Sequence, residues 1–98
     1  MARYLIKDYT HNEDIRTART LINARKAAIQ VFKKDTKGRT GMVTIYDNGF
    51  LIEGVYRSHI TNPLNKSPLH VEKYYDGNMR KIAGEWILKD DGNLARGI

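Results

Sequence analysis

The residue types that usually carry chemistry are thinly spread along this chain. His11, His59 and His70 lack the i, i+4 spacing that presents two imidazoles to one metal ion, and there is no cysteine to supply a thiolate. Gly38 and Gly41 precede a strand-like segment rather than a helix, so they make neither a phosphate loop nor a dinucleotide fingerprint. Ser58 and His59 are neighbours in sequence, but a nucleophile and its base need a third orienting group in space, which adjacency does not supply. Glu53, Glu72 and Glu85 fall on strand-like segments, where Thr44 and Lys81 are the natural cross-strand partners of the first two. No catalytic residue, metal ligand or cofactor is therefore assigned. The chain reads as a binding protein, not an enzyme.

Charge is the more informative property. Seventeen Lys and Arg stand against eleven Asp and Glu, a net charge of +6. Residues 1–41 hold ten bases and four acids, whereas residues 42–98 hold seven of each, so the whole excess lies in the first part of the chain. That asymmetry implies one basic surface and an acidic partner. Arg16, Arg19, Asn23, Lys26, Gln30 and Lys34 recur at three- and four-residue spacing, which on a helix is one narrow arc. Cations at that spacing repel one another, a cost that a partner's phosphates would relieve, while Asn and Gln suit bases or sugars. The bland counterpart is a solvated basic face. Lys73 and Arg80, expected to oppose each other across a hairpin, form a second candidate anion site. Six of the nine aromatic residues are tyrosines, several beside bases, as in Tyr56-Arg57 and Lys73-Tyr74-Tyr75. Such rings serve either as stacking platforms or as ordinary strand packing.

These groups must be positioned by a small domain, since 98 residues accommodate one core. Residues 2–9 predict a strand. Thr10-His11-Asn12-Glu13 has the form of a capping box, so a helix is expected to start there, with Ile15, Ala18, Leu21, Ile22, Ala28, Ile29 and Phe32 along one apolar face. Arg25 intrudes on that face. Residues 28–32 would serve equally as a strand, but no Gly or Pro separates them from the helix, which favours the longer helix. Thr36 to Arg39 is a turn. Residues 42–46 and 50–56 then alternate as strands across Asn48-Gly49, the strongest two-residue hairpin signal. In an uninterrupted ladder Ile45 faces Ile52, Tyr46 faces Leu51, Thr44 faces Glu53 and Met42 faces Val55. Residues 58–68 read as a long loop. A second hairpin, residues 69–75 and 79–88 about Asp76-Gly77, would place Val71 opposite Ile82, Glu72 opposite Lys81, Lys73 opposite Arg80 and Tyr74 opposite Met79. Residues 93–98 are expected to be a flexible tail.

The resulting fold class is α+β: an antiparallel sheet of about five strands with one long helix on one face, in the order β-α-β-β-β-β, forming a single domain over residues 1–98. With Met42, Tyr46, Leu51 and Val55 on one side of the first hairpin and Val43, Ile45, Phe50 and Ile52 on the other, one helix cannot cover both sheet faces, so whichever face is left uncovered is expected to be an interface, either of a homodimer or with a partner protein. Residues 1–9 lack a signal peptide's apolar run, and no apolar stretch approaches the roughly eighteen residues of a membrane span, so a cytoplasmic protein without membrane contact is expected. In size and plan alone the chain resembles small inhibitors encoded by bacteriophages and mobile elements, anti-CRISPR proteins among them; no specific residues carry that resemblance. The leading expectation is a non-enzymatic basic module that engages nucleic acid or a ribonucleoprotein through Arg16, Arg19, Asn23, Lys26, Gln30 and Lys34, with Lys73 and Arg80 in support. The alternative is an inhibitor acting by protein contacts through Tyr56, His59, Asn62 and Tyr74 on nucleic-acid-handling machinery.

Overall fold

The computed structural model describes residues 3–35, 37–57, 68–75, 77, 79–82 and 86–96. Strands β1 (Tyr4–Asp8) and β2 (Glu13–Ala18) precede helix α1 (Leu21–Lys34); β3 (Met42–Asp47), β4 (Phe50–Arg57), β5 (Leu69–Tyr75), β6 (Arg80–Lys81), β7 (Trp86–Leu88) and β8 (Leu94–Arg96) follow. Seven strands lie in the order β2-β1-β3-β4-β5-β7-β8, β6 pairs with β5 beside this path, and all pairings are antiparallel. One helix on an antiparallel sheet is the α+β plan read from sequence. The described strands number eight rather than about five. Among the described residues no helix is long and apolar enough to cross a membrane.

The largest departure lies at residues 10–18. Thr10 does not cap a helix, because its Oγ1 accepts from the backbone N–H groups of Gly41 at 2.8 Å and Met42 at 3.1 Å. Asn12 has φ +53°, a left-handed conformation that stops a helix and turns the chain back. Residues 13–18 consequently pair with β1, and the cap moves to Thr20, whose side chain accepts from the Asn23 N–H at 3.1 Å. The helix then runs unbroken through residues 28–32 to Lys34, as the longer reading requires. Lys33 and Lys34 in its last turn suit the dipole.

The helix side of the sheet carries Tyr4, Ile6, Val43, Ile45, Val55, Val71 and Leu88, which pack beneath Ala24, Ala28, Ile29 and Phe32. Alanines at the contact let the backbone lie close to the sheet, while Phe32, Ile6, Ile45, Val43, Val55 and Val71 are fully buried. Each large apolar side chain so buried contributes about 1.5–3 kcal/mol.

Register at the first hairpin explains Arg25. The Asn48-Gly49 turn has both residues at positive φ, +49° and +87°, and pairs Tyr46 with Leu51 as expected. Ile52 is then bulged out, so Ile45 faces Glu53, Thr44 faces Gly54, Val43 faces Val55 and Met42 faces Tyr56. A one-residue slip exchanges sheet faces: Val55 joins the core, and Glu53 comes beneath the helix to meet Arg25.

The second hairpin is likewise corrected. Tyr74 faces Lys81 and Tyr75 faces Arg80, while Val71 faces Trp86, so the returning strand is split into β6 and β7 and Lys73 does not oppose Arg80. Lys73 instead neighbours Glu53 across β4, with its Nζ 4.1 Å from the centre of the Trp86 ring. The partnership of Glu72 with Lys81 survives as a diagonal ion pair at 2.7 Å. Part of the expected tail is ordered as edge strand β8, held by pairing with β7.

On the second face Tyr74 is buried and lies across Gly54, its hydroxyl donating to Glu72 Oε2 at 2.7 Å. Leu51 and Thr44 are also buried within the single chain. Val55 lies on the helix face of the first hairpin rather than beside Met42, Tyr46 and Leu51, where the uninterrupted ladder would place it.

Candidate functional site

Edge strand β2 lies beside the helix, and the two define a groove. Arg16 pairs with Ile6, whose side chain is in the core, so Arg16 projects on the helix side of the sheet. Asn23, Lys26, Ala27 and Gln30 follow the i, i+3, i+4, i+7 pattern and face it from α1. Together with Thr17, Ala18 and Arg19 they line an open hollow of about 370 Å³. A second hollow of about 250 Å³ is lined by Ile15, Arg16, Ala27, Gln30, Val31 and Lys34. The two share Arg16, Ala27 and Gln30 and form one channel along the helix. Buried Ala27 is its floor; the polar side chains of Arg16, Arg19, Asn23, Lys26, Gln30 and Lys34 are exposed along its walls.

The structure thus brings all six of the sequence-predicted helix-face residues to one channel, although by a different route. Arg16 belongs to β2 and Arg19 to the connection that follows it, so the cations converge from two elements instead of repeating along one. None of the residues lining either hollow is acidic. Among the described residues, Arg16, Arg19, Lys26 and Lys34 form no ion pair, whereas Arg3 is paired with Asp47, Arg25 with Glu53 and Lys81 with Glu72. Several unneutralised cations around a concave surface raise the local concentration of polyanions, the more so where low-dielectric walls focus the field.

The remaining candidates lie elsewhere. Lys73 is half-buried against Trp86, and the Arg80 guanidinium lies 5.4 Å from the Tyr75 ring centre. Tyr56 is stacked on His70 with ring centres 5.5 Å apart, and Tyr74 is packed against Gly54. His59 and Asn62 lie outside the described residues, as do Ser58 and Glu85. His11 is held by Asp8, Nδ1 to Oδ2 at 2.8 Å, which raises its pKa chiefly through that hydrogen bond. Among the described residues no three His, Asp or Glu side chains gather as metal ligands would.

Sequence reasoning missed the contribution of β2's edge and of the exposed ring of Phe50. The one signal for the former was Thr20, a residue type that caps helices, placed just before Leu21. Compared with protein-family models, with curated proteins and with solved structures, the chain finds no match.

Proposed function

We propose that this protein is a non-enzymatic nucleic-acid-binding module whose channel between β2 and α1 follows a phosphate backbone. The convergence of Arg16, Arg19, Lys26 and Lys34, none of them ion-paired among the described residues, on one acid-free channel carries this reading. Arg and Lys supply charge-assisted hydrogen bonds to phosphate oxygens, and Asn23 and Gln30 supply neutral donors and acceptors for sugar or base edges. An inhibitor acting by protein contacts through Tyr56, His59, Asn62 and Tyr74 draws less support, since Tyr56 is engaged with His70 and Tyr74 is buried.

The test is the salt dependence of oligonucleotide affinity in the parent and in a variant with Arg16, Arg19, Lys26 and Lys34 replaced by Gln. Neutralising a phosphate releases about one counterion, so the variant's log-log slope should be shallower by about one unit for every phosphate it no longer neutralises, whatever the oligonucleotide sequence. All four side chains are exposed, so the variant should fold as the parent does. Unchanged affinity in the folded variant, or no binding by the parent at low salt, overturns the reading.

A further inference from the structure

Two exposed aromatic rings stand on the helix side of the sheet, one of them in the same strand row as Ala18 of the channel. Ala18, Tyr4, Asp47 and Phe50 are successive register partners across β2, β1, β3 and β4, so Phe50 lies three strand spacings, about 14 Å, from the strand that walls the channel. Pairing with Asp47 puts Phe50 on the helix side of the sheet, yet it is 64% exposed, an unusual position for a phenylalanine at a hairpin tip. Its flank rests against Gly77 of the neighbouring hairpin. Tyr75 in that hairpin is 40% exposed, on the same side of β5 as Val71, and the Arg80 guanidinium accompanies its ring. Asp47, the one acid in the row, is neutralised by two hydrogen bonds from Arg3 at 2.6 and 2.8 Å. Along that row, from the basic channel to Phe50, no carboxylate is left uncompensated.

We infer that the nucleic acid taken by the channel is single-stranded, with its backbone among Arg16, Arg19 and Lys26 and unpaired bases stacked on Phe50 and Tyr75. This rests on the nucleic-acid reading of the channel and extends it. Stacking on an exposed ring needs a base face free of its neighbours, which a strand offers and a duplex interior does not. Cations that follow a backbone, set beside rings that accept any base, suit a sequence-tolerant single-strand reader.

The test compares a fluorescein-labelled oligodeoxythymidylate of about a dozen nucleotides with a duplex of equal length, by anisotropy at low salt. The parent should bind the single strand more tightly. Phe50→Ala with Tyr75→Ala should weaken single-strand binding by about tenfold or more and leave both the salt slope and duplex binding unchanged. Phe50→Trp should retain affinity, with its emission quenched on binding. If the double alanine variant binds the single strand as the parent does while the glutamine variant of the channel loses affinity, the single-strand inference fails and the channel reading stands. Equal affinity for duplex and single strand overturns the inference too. Retention of oligonucleotide binding by the channel variant overturns both, because the nucleic acid is then held elsewhere than in the channel.

Discussion

Arg25 and Glu53 meet in a two-point contact between the helix and the middle of the sheet, Nε to Oε1 at 2.9 Å and Nη2 to Oε2 at 2.6 Å. Both are buried, at 8% and 3% exposure, and Arg25 also donates to the Gly92 carbonyl at 3.4 Å. The pair fixes where the helix lies along the sheet, and hence how the channel is framed. Removing one partner leaves a buried charge uncompensated. Glu53→Ala or Arg25→Ala should cost about 3–5 kcal/mol in urea denaturation, whereas Arg25→Met with Glu53→Met together should lie much closer to the parent. A double variant no more stable than the singles would show that the pair itself, not the isolated charge, determines the loss.

His11 makes stability depend on pH. Its side chain is hydrogen-bonded to buried Asp8, which raises its pKa above the ordinary value near 6.5. A raised folded-state value means that the native state holds the proton more tightly. The contribution is complete below the ordinary value and is lost as pH rises through the raised one. Chemical denaturation across this window should show stability falling with pH in the parent and a flatter profile in His11→Gln. An NMR titration of the imidazole gives the same displacement directly.

Gly92 sits at φ +86°, and a Cβ there would come within 2.8 Å of the Ile22 carbonyl oxygen in the helix above. Gly49 has nearly the same angle, +87°, but nothing within 4 Å. Gly49→Ala should therefore cost about 1 kcal/mol, the left-handed penalty alone. Gly92→Ala should cost more, because the turn between β7 and β8 must also move away from the helix. Equal destabilisation of the two variants would contradict the close docking of that turn.

Tyr74 should be the tyrosine that resists ionisation. Burial raises its pKa, and donation to Glu72 raises it further. Absorbance titration of the folded protein should leave one phenol protonated above the ordinary tyrosine range, and Tyr74→Phe should abolish that component. Gly54→Ala places a methyl group 2.8 Å from the same hydroxyl and 3.1 Å from Met42 Sδ, so it should destabilise by about 1–3 kcal/mol.

Local chemistry made much of this legible. Asn48-Gly49 specified a hairpin because few other dipeptides accept positive φ at both positions, and the helix through Lys34 followed from unbroken propensity. The candidate cations were legible as a set of residues, although Arg16 and Arg19 reach the channel from β2 and its connection and not by helical spacing. Residues 10–13 misled because Thr-x-x-Glu satisfies a cap wherever the next residues are free to be helical. Here Thr10 found the amides of Gly41 and Met42, more than thirty residues away, and Asn12 turned the chain back.

Sequence by itself determined the α+β class, the elements with strong local signals and the placement of the positive charge, all of which depend on residue type and short-range spacing. Only the tertiary structure decided that residues 13–18 are an edge strand, that Ile52 is bulged, and that Arg25 belongs with Glu53. The physical reason is common to the three. Each choice exchanges one locally adequate hydrogen-bonding arrangement for another, and the balance is set by partners far along the chain: β1 for residues 13–18, and the helix's buried guanidinium for the register of β4. The channel inherits both decisions, since one wall is that edge strand and the other is the helix which the ion pair holds in place.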